Sequence, residues 1–210
     1  MKVQMKPRSN WLNLAPGLAL ALVLFPGARV HAGAPTEQIR TTVDKAIVVL
    51  KDPRYSGKKL ERRDQLKEIL FSRFDFTEMS KRSLGPHWRD LSDTEQKEFV
   101  GLFSDLLERT YADIIESYSD EKVVYLNERT DGSFAEVASK VHSSKGVDYS
   151  VNYKVQLNGS EWKVYDIVAE NISLVNNYRS QFNSVIKKAS YQELVNRLKS
   201  KSDFGGAPKK

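Results

Sequence analysis

The chain has 210 residues, of which 40% are hydrophobic and 29% charged, so it is long enough for one domain with a well-buried core. It contains no cysteine, which excludes disulfides, thiolate-bound zinc and thiol nucleophiles. The formal charge is +6, but the first 32 residues carry four cations and no acid, and removing them leaves +2. That balance gives no reason to expect a nucleic-acid partner.

The N-terminal segment has the layout of a cleavable secretory signal. Basic residues precede the apolar run LAPGLALALVLF at 14–25, Pro26-Gly27 interrupts it, and Val30-His31-Ala32 follows. Twelve apolar residues reach only part of a hydrocarbon core of about 30 Å, which argues against a membrane anchor. We therefore expect cleavage after Ala32 and export. This divides the chain into a signal peptide (1–32), a folded domain (33–199) and a flexible polar tail (200–210).

Apolar residues at helical spacing fill the first half of the exported chain. They predict helices over residues 36–50, 58–74, 76–84 and 92–118. The fourth helix begins at a capping box, Ser92-Asp93-Thr94-Glu95, in which the serine and glutamate each satisfy a free backbone N–H group. Its apolar stripe is wide enough to pack against a sheet.

The pattern then changes to segments rich in β-branched and aromatic residues, at 122–130, 134–143, 147–157 and 161–169. Asp131-Gly132, Lys145-Gly146 and Asn158-Gly159 separate them and favour tight hairpin turns. The third segment alternates apolar and polar residues most regularly, so one face of this strand is expected to be covered. Four strands joined by short turns predict an antiparallel meander.

Helical spacing returns over residues 174–188, and a second capping box, Ser190-Tyr191-Gln192-Glu193, precedes a last short helix. Helices, then four strands, then helices predict the α+β class. We expect a four-stranded antiparallel sheet covered by a layer of helices. Such a layered arrangement can enclose a pocket, but periodicity alone does not separate a lined pocket from a filled core.

Catalytic chemistry has few candidates in this sequence. His87 and His142 are the only histidines outside the signal segment, and no metalloprotease, nucleophile-elbow or phosphate-loop motif is present. Asp166 follows an apolar strand segment and is the one acid that would suit a general base. No second acid or histidine lies at a telling spacing, so the interpretation as a strand-end hydrogen-bond acceptor is favoured.

Several blocks of the chain resemble the MlaC, or toluene-tolerance auxiliary, family of periplasmic phospholipid-binding proteins. They are FDFTEMSKRSLGPHW at 74–88, LLERTY at 106–111, WKVYD at 162–166 and NISLVNNYRSQF at 171–182. The resemblance spans residues 35–198, and the combination of blocks is highly specific.

The resemblance implies a periplasmic carrier that holds a phospholipid as cargo, with no other cofactor and no metal. It implies exchange with an outer-membrane lipoprotein–porin complex and with an inner-membrane ABC transporter that has a membrane-anchored substrate-binding subunit. It also implies a pocket between sheet and helices that takes the acyl tails and leaves the head group outside. We expect the carrier to be a monomer and to have no catalytic activity.

Apolar and aromatic residues on faces expected to be buried are the candidates for the pocket wall. They are Phe74, Met79, Trp88, Phe99, Phe103, Val151, Tyr153, Val155, Trp162, Val164, Phe182 and Ile186. Arg82, Arg89 and Arg179 are candidates for contact with the head group or with a partner. Each of these residues also has an ordinary structural interpretation, as core for the apolar set and as solvated surface for the arginines.

Two alternatives to the carrier stay open on the sequence. One is an envelope adaptor or chaperone with a filled core and no lipid ligand. The other is an enzyme that uses Asp166 as its base.

Overall fold

The computed structural model of the chain describes residues 34–118, 121–143, 146–201 and 204. The predicted signal peptide lies outside these ranges, as does most of the predicted C-terminal tail. Within the described ranges, no helix combines the length and the hydropathy needed to cross a membrane.

Six α-helices occupy the two regions in which the sequence predicts helices. They are α1 (Pro35–Lys51), α2 (Lys59–Phe71), α3 (Phe76–Leu84), α4 (Asp93–Glu116), α5 (Leu174–Lys188) and α6 (Tyr191–Lys199). The predicted second helix ends three residues early. The segment after it lies beside the sheet instead, since the Asp75 N–H donates to the carbonyl of Val164 and the Val164 N–H donates to that of Arg73.

The helix starts follow the capping signals of the sequence. The Ser92 capping box is complete, with the side chain of Glu95 returning to the Ser92 backbone N–H. At Ser190 only the first half of the predicted box forms. The Ser190 hydroxyl accepts from the Glu193 N–H, while the Glu193 carboxylate accepts from Arg197 at 2.7 Å.

The predicted antiparallel meander is confirmed, and a short fifth strand extends it. The strands, which pair in chain order, are β1 (Lys122–Asp131), β2 (Phe134–His142), β3 (Asp148–Asn158), β4 (Glu161–Ala169) and β5 (Ile172–Ser173). Bulges interrupt the register at Leu126 in β1 and at Tyr165 in β4. A bulge shifts the alternation of side chains, so Val164 and Asp166 face opposite sides of the sheet.

We call the side of the sheet that carries Val137, Tyr153, Val155 and Val164 the inner face. Helix α1 crosses it, and Ile39 packs with these valines in a closed group, the sheet cluster. The first turns of α1 are fixed at the end of the sheet that carries the β1–β2 and β3–β4 turns, which we call the hairpin end. There the Gln38 side chain accepts from the Trp162 N–H and donates to the Ser160 carbonyl.

The second packed group, the helical cluster, is built from α3, α4, α5 and α6. Phe99 and Phe103 of α4 meet Phe182 of α5 edge-on, with ring centroids 5.6 and 5.4 Å apart. The sequence predicts that the α4 stripe packs against a sheet, but its most buried residues pack against helices. Edge-to-face aromatic contacts add stabilisation beyond the burial of their area.

Phe204 belongs to the predicted flexible tail, yet its side chain is buried. It meets Phe182 edge-on at 5.4 Å between ring centroids. The tail is therefore anchored to the helical cluster at this residue.

Asp166 joins the sheet to the start of α5. Its carboxylate accepts from the Ser173 hydroxyl at 2.7 Å and from the Val175 N–H at 3.0 Å, and Lys154 lies 3.7 Å away. The backbone N–H groups at a helix start have no partner inside the helix, and a carboxylate satisfies them well. Both oxygens thus stabilise the α5 N-terminus, as the structural interpretation of this residue expects.

Asp166→Asn should lower the free energy of unfolding by about 1–3 kcal/mol, because it replaces a buried charged acceptor of two hydrogen bonds. Urea denaturation followed by circular dichroism measures the change. Asp148→Asn is the matched control, since this acid is exposed and pairs with the partly exposed His142, and the loss of this pair should cost less than about 1 kcal/mol. Equal effects of the two substitutions would contradict the anchoring role.

Candidate functional site

The inner face of the sheet has a sealed half and an open half. Ala135, Val137, Val155 and Val164 are buried in the sheet cluster at the hairpin end. Towards the other end the side chains on the same face keep part of their surface accessible and belong to neither packed cluster of the described residues. We call this set the open wall: Val123, Val141, Tyr149 and Val151.

The open wall is continuous across three strands. Val123 lies opposite Val141, and Val141 lies opposite Tyr149 on the next strand. Val151 follows Tyr149 on the same face of β3, because side chains two apart on a strand point the same way. A connected apolar surface left uncovered is typical of a binding site.

Helix α1 supplies apolar side chains beside the inner face of the sheet. Val43 of α1 packs on the sheet cluster, and Ile47 lies one turn further along the same face of the helix. Ile47, Leu50 and Ile115 are half-buried and belong to neither cluster among the described residues. Ile47 therefore extends the apolar face of α1 beyond the sheet cluster.

Tyr153 lies on the inner face at the boundary between the sheet cluster and the open wall. Burial raises the pKa of its phenol to about 12, an effect opposed by a hydrogen bond with Ser139 and assisted by the nearby Tyr118. The same side chain nevertheless keeps part of its surface accessible. The phenol of Tyr153 is therefore largely desolvated, although the side chain is only half-buried. We call the space beside the open wall and Tyr153 the hollow.

Further tyrosines border the hollow. Burial raises the pKa of Tyr125 well above its usual value, and the neighbouring Tyr153 and Asp44 act in the same direction. At the end of α4, burial also raises the pKa of Tyr118, whose hydroxyl donates to the Glu121 carbonyl at 2.5 Å. The wall is thus apolar with a few phenol groups, as is usual for a site that takes a mainly apolar ligand.

A second depression lies on the opposite side of α1. It has a volume of about 440 Å³ and is lined by Thr41, Asp44, Lys45, Val48 and Ile69. It opens widely to solvent. We therefore regard the hollow under the inner face as the candidate site.

The twelve predicted wall residues fall into three groups. Met79, Trp88, Phe99, Phe103 and Phe182 are buried in the helical cluster, and Val155, Trp162 and Val164 are buried in the sheet cluster. The half-buried residues are Phe74, Val151, Tyr153 and Ile186.

Of the half-buried group, the structure brings Val151 and Tyr153 together on the inner face. Phe74 packs against both clusters and joins them, while Ile186 packs against the helical cluster. The buried eight have almost no accessible surface in this structure, so they form the frame around the hollow. As direct ligand contacts, all twelve stay predictions.

The three arginines lie in or beside α3 and α5. Arg82 donates to Glu78 at 2.8 Å and lies 4.2 Å from the ring centroid of Tyr165. Arg179 lies against Gly85, with its Nε only 2.9 Å from the place a Cβ would take; Gly85 also has a φ of +58°, so only glycine fits there. Arg89 is exposed. Their role as head-group or partner contacts stays a prediction.

Other groups with catalytic or metal-binding potential have structural partners. His87 shares a hydrogen bond of 3.1 Å with Asn183, and His142 pairs with the exposed Asp148. Across the described ranges, no group of three histidine, aspartate or glutamate side chains is placed to hold a metal ion.

Residue selection from the sequence missed Val123, Tyr125 and Val141. The available signal was the alternation of β1 and β2 combined with the register that the Asp131-Gly132 turn imposes. Aromatic content drew attention to α4 and α5 instead, where the aromatic residues complete a solid core.

The family model described as MlaC protein matches residues 40–200 of this chain. The chain belongs to the MlaC family. The match includes α2 to α6 and the whole sheet, so the hollow lies entirely within the family's domain.

Two relatives of known name align with this MlaC-family chain. The toluene tolerance protein ttg2D of Pseudomonas putida is 26% identical over 179 residues, 83% of each chain. The intermembrane phospholipid transport system binding protein MlaC of Haemophilus influenzae is 24% identical over 120 residues. That alignment spans 55% of this chain and 56% of the Haemophilus protein.

A solved structure is similar over most of the domain. The phospholipid-binding protein from Ralstonia solanacearum, determined in complex with a phospholipid, has a TM-score of 0.73 and 28% identity to this chain. The similarity covers 80% of this chain and 96% of that one. The architecture of this MlaC-family chain is therefore shared with a protein that holds a lipid.

If the hollow is present, tryptophan substitutions at two valines of β3 should have unequal effects on the free energy of unfolding. Val151→Trp should change the free energy of unfolding by less than about 1 kcal/mol, because its side chain can extend into unfilled space. Val155→Trp should cost about 3 kcal/mol or more, because Val155 is fully enclosed. Urea denaturation of the two variants measures the difference. Comparable losses would mean that the space beside Val151 is filled.

Proposed function

We propose that this protein is a periplasmic phospholipid carrier that moves single lipid molecules between the outer and inner membranes. One observation carries the proposal. A continuous apolar wall, formed by Val123, Val141, Tyr149 and Val151, keeps part of its surface accessible on the inner face of the sheet, and a protein of similar structure that is 28% identical to this chain was solved with a bound phospholipid.

The energetics of a lipid in water explain why such a wall is needed. Two acyl chains contain roughly 30 methylenes, and exposing them costs about 0.8 kcal/mol each, roughly 24 kcal/mol in all. A lipid therefore does not cross an aqueous compartment alone at a useful rate. A wall as apolar as the bilayer interior removes most of this barrier and makes loading and release nearly neutral.

The charged head group, unlike the tails, is more stable in water than in an apolar pocket. Burying a charged phosphate without partners is very costly, so it is expected to stay at the mouth in water. Binding energy then comes mainly from the tails, and head groups are discriminated weakly. We propose Arg82, Arg89 and Arg179 as contacts to the head group or to a partner protein.

The wall that we propose for the tails is centred on the open wall and on Tyr153. Phe74 and Ile186, both half-buried, are proposed to border it. We propose that the remaining candidates form the packed core around the hollow and contact lipid only if side chains move. They are Met79, Trp88, Phe99, Phe103, Val155, Trp162, Val164 and Phe182.

The compartment and partners follow from the N-terminal segment and the family. We propose that residues 1–32 are a signal peptide and that the exported chain begins at Gly33. The proposed partners are an outer-membrane lipoprotein–porin complex and an inner-membrane ABC transporter with its membrane-anchored binding subunit. The name of the Haemophilus relative, an intermembrane phospholipid transport system binding protein, supports an intermembrane route. We propose no catalytic step.

Protein purified gently from the periplasmic fraction should contain close to one phospholipid per chain. Extraction with organic solvent followed by mass spectrometry identifies and counts the lipid. Val151→Trp should reduce the lipid content severalfold while the protein stays folded, because an indole then occupies the hollow. Val124→Trp is the matched control on the opposite face of the sheet, where the side chain is exposed, and it should leave the lipid content unchanged.

Wild-type protein that is folded but free of lipid after gentle purification would contradict the carrier and favour an adaptor. The intact mass of the same sample tests the proposed start at Gly33.

A further inference from the structure

Tyr125 has a buried hydroxyl that lacks a hydrogen-bond partner among the described residues. Phenol hydroxyls are usually paired when they are buried, because leaving one unpaired costs stability. Tyr118, near it in space, illustrates the rule, since its hydroxyl donates to the Glu121 carbonyl. The unpaired group at Tyr125 therefore requires an explanation.

Tyr125 lies at the border between the sealed and the open half of the inner face. It is opposite Ser139 in the β1–β2 register, and Val123 of the open wall is two residues away on the same strand. Its ring packs on the sheet cluster, and the Arg40 guanidinium lies 5.0 Å from the ring centroid. The ring of Tyr125 therefore lies between the sheet cluster and the open wall, and its hydroxyl is enclosed there.

The hydroxyl groups of the neighbouring Ser139 and Tyr118 donate to backbone carbonyls and not to Tyr125. The Ser139 hydroxyl donates to the Val151 carbonyl at 2.6 Å, and the Tyr118 hydroxyl is already paired. A phenol without a partner can donate to any acceptor that enters the hollow. Its desolvation has already taken place in the folded chain, so a new hydrogen bond there has a small additional cost.

A phospholipid offers one acceptor that suits an apolar hollow. Methylenes have no acceptor, and the phosphate is too costly to bury. The carbonyl oxygens of the two acyl esters are neutral acceptors without donors, and they enter with the first carbons of the tails. An ether-linked lipid of the same length lacks them.

We propose that the Tyr125 hydroxyl donates a hydrogen bond to an acyl-ester carbonyl of the bound phospholipid. The inference rests on the proposed carrier function and adds a preference for ester-linked over ether-linked lipids. It also fixes the depth of the lipid, because the ester region then lies beside Tyr125 and the tails extend along the open wall.

The proposal predicts opposite effects of one substitution in two states of the protein. In the lipid-free protein, Tyr125→Phe removes an unpaired buried hydroxyl, so the Tm should stay unchanged or rise. In the protein loaded with an ester lipid, the same substitution removes a hydrogen bond, so the increase in Tm on loading should be smaller than in wild type.

The direct experiment is competition at equilibrium with delipidated full-length chain. Dioctanoyl phosphatidylglycerol and its dioctyl ether analogue each displace a fluorescent phosphatidylglycerol. Wild type should bind the ester form about threefold to tenfold more tightly, the effect of one neutral hydrogen bond. Tyr125→Phe should bind both forms equally. Tyr118→Phe, which removes a hydroxyl that is already paired within the protein, should keep the preference.

Each other outcome overturns a specific statement. Equal binding of the two lipids by wild type, or a preference retained in Tyr125→Phe, overturns the hydrogen bond to the ester and leaves the carrier function intact. Failure of both lipids to displace the fluorescent probe, or failure of the probe itself to bind, overturns the proposed function.

Discussion

The structure depends on keeping an apolar surface uncovered inside a protein of modest size. Hydrophobic side chains normally pack until interior space is filled, at a density close to that of organic crystals. A hollow beside Val151 and Val141 persists only if the surrounding elements are held apart by contacts stronger than the gain from collapse. The two closed clusters provide this constraint, since each is completed without using the open wall.

Polar contacts fix the helices that border the hollow. Arg73 donates to Thr42, to Gln38 and to the Trp162 carbonyl, which ties the end of α2 to α1 and to β4. Glu116 of α4 is nearly enclosed and accepts from Arg63 of α2 at 2.7 Å. Directional bonds of this kind set the spacing between helices where apolar packing alone would draw them together. The proposed lipid cargo requires an apolar space whose surrounding helices are held in fixed positions.

Much of the fold was predictable because local signals and tertiary structure agree. The glycine turns at Gly132 and Gly159, the alternation in β3 and the Ser92 capping box each indicated the element that forms. The position of the hollow was harder to predict from the sequence. Phe99 and Val151 look alike in a periodicity pattern, yet one is enclosed by other rings and the other borders free space. That distinction depends on how far α1 and α4 stand from the sheet, which local sequence does not encode. The bulge at Tyr165, which turns Asp166 towards α5, also could not be predicted, because local sequence does not encode it.

The most direct test of the account is to find where hydrocarbon touches the protein. A phosphatidylglycerol with a diazirine in one acyl chain, loaded into the purified protein and activated by light, labels the residues that it contacts. Tandem mass spectrometry of the peptides then locates the label. The account predicts label on the inner face of β1 to β3, at Val123, Val141, Val151 and Tyr153. Label confined to the outer face at Val124, or to the α4 core at Phe99 and Phe103, would contradict it.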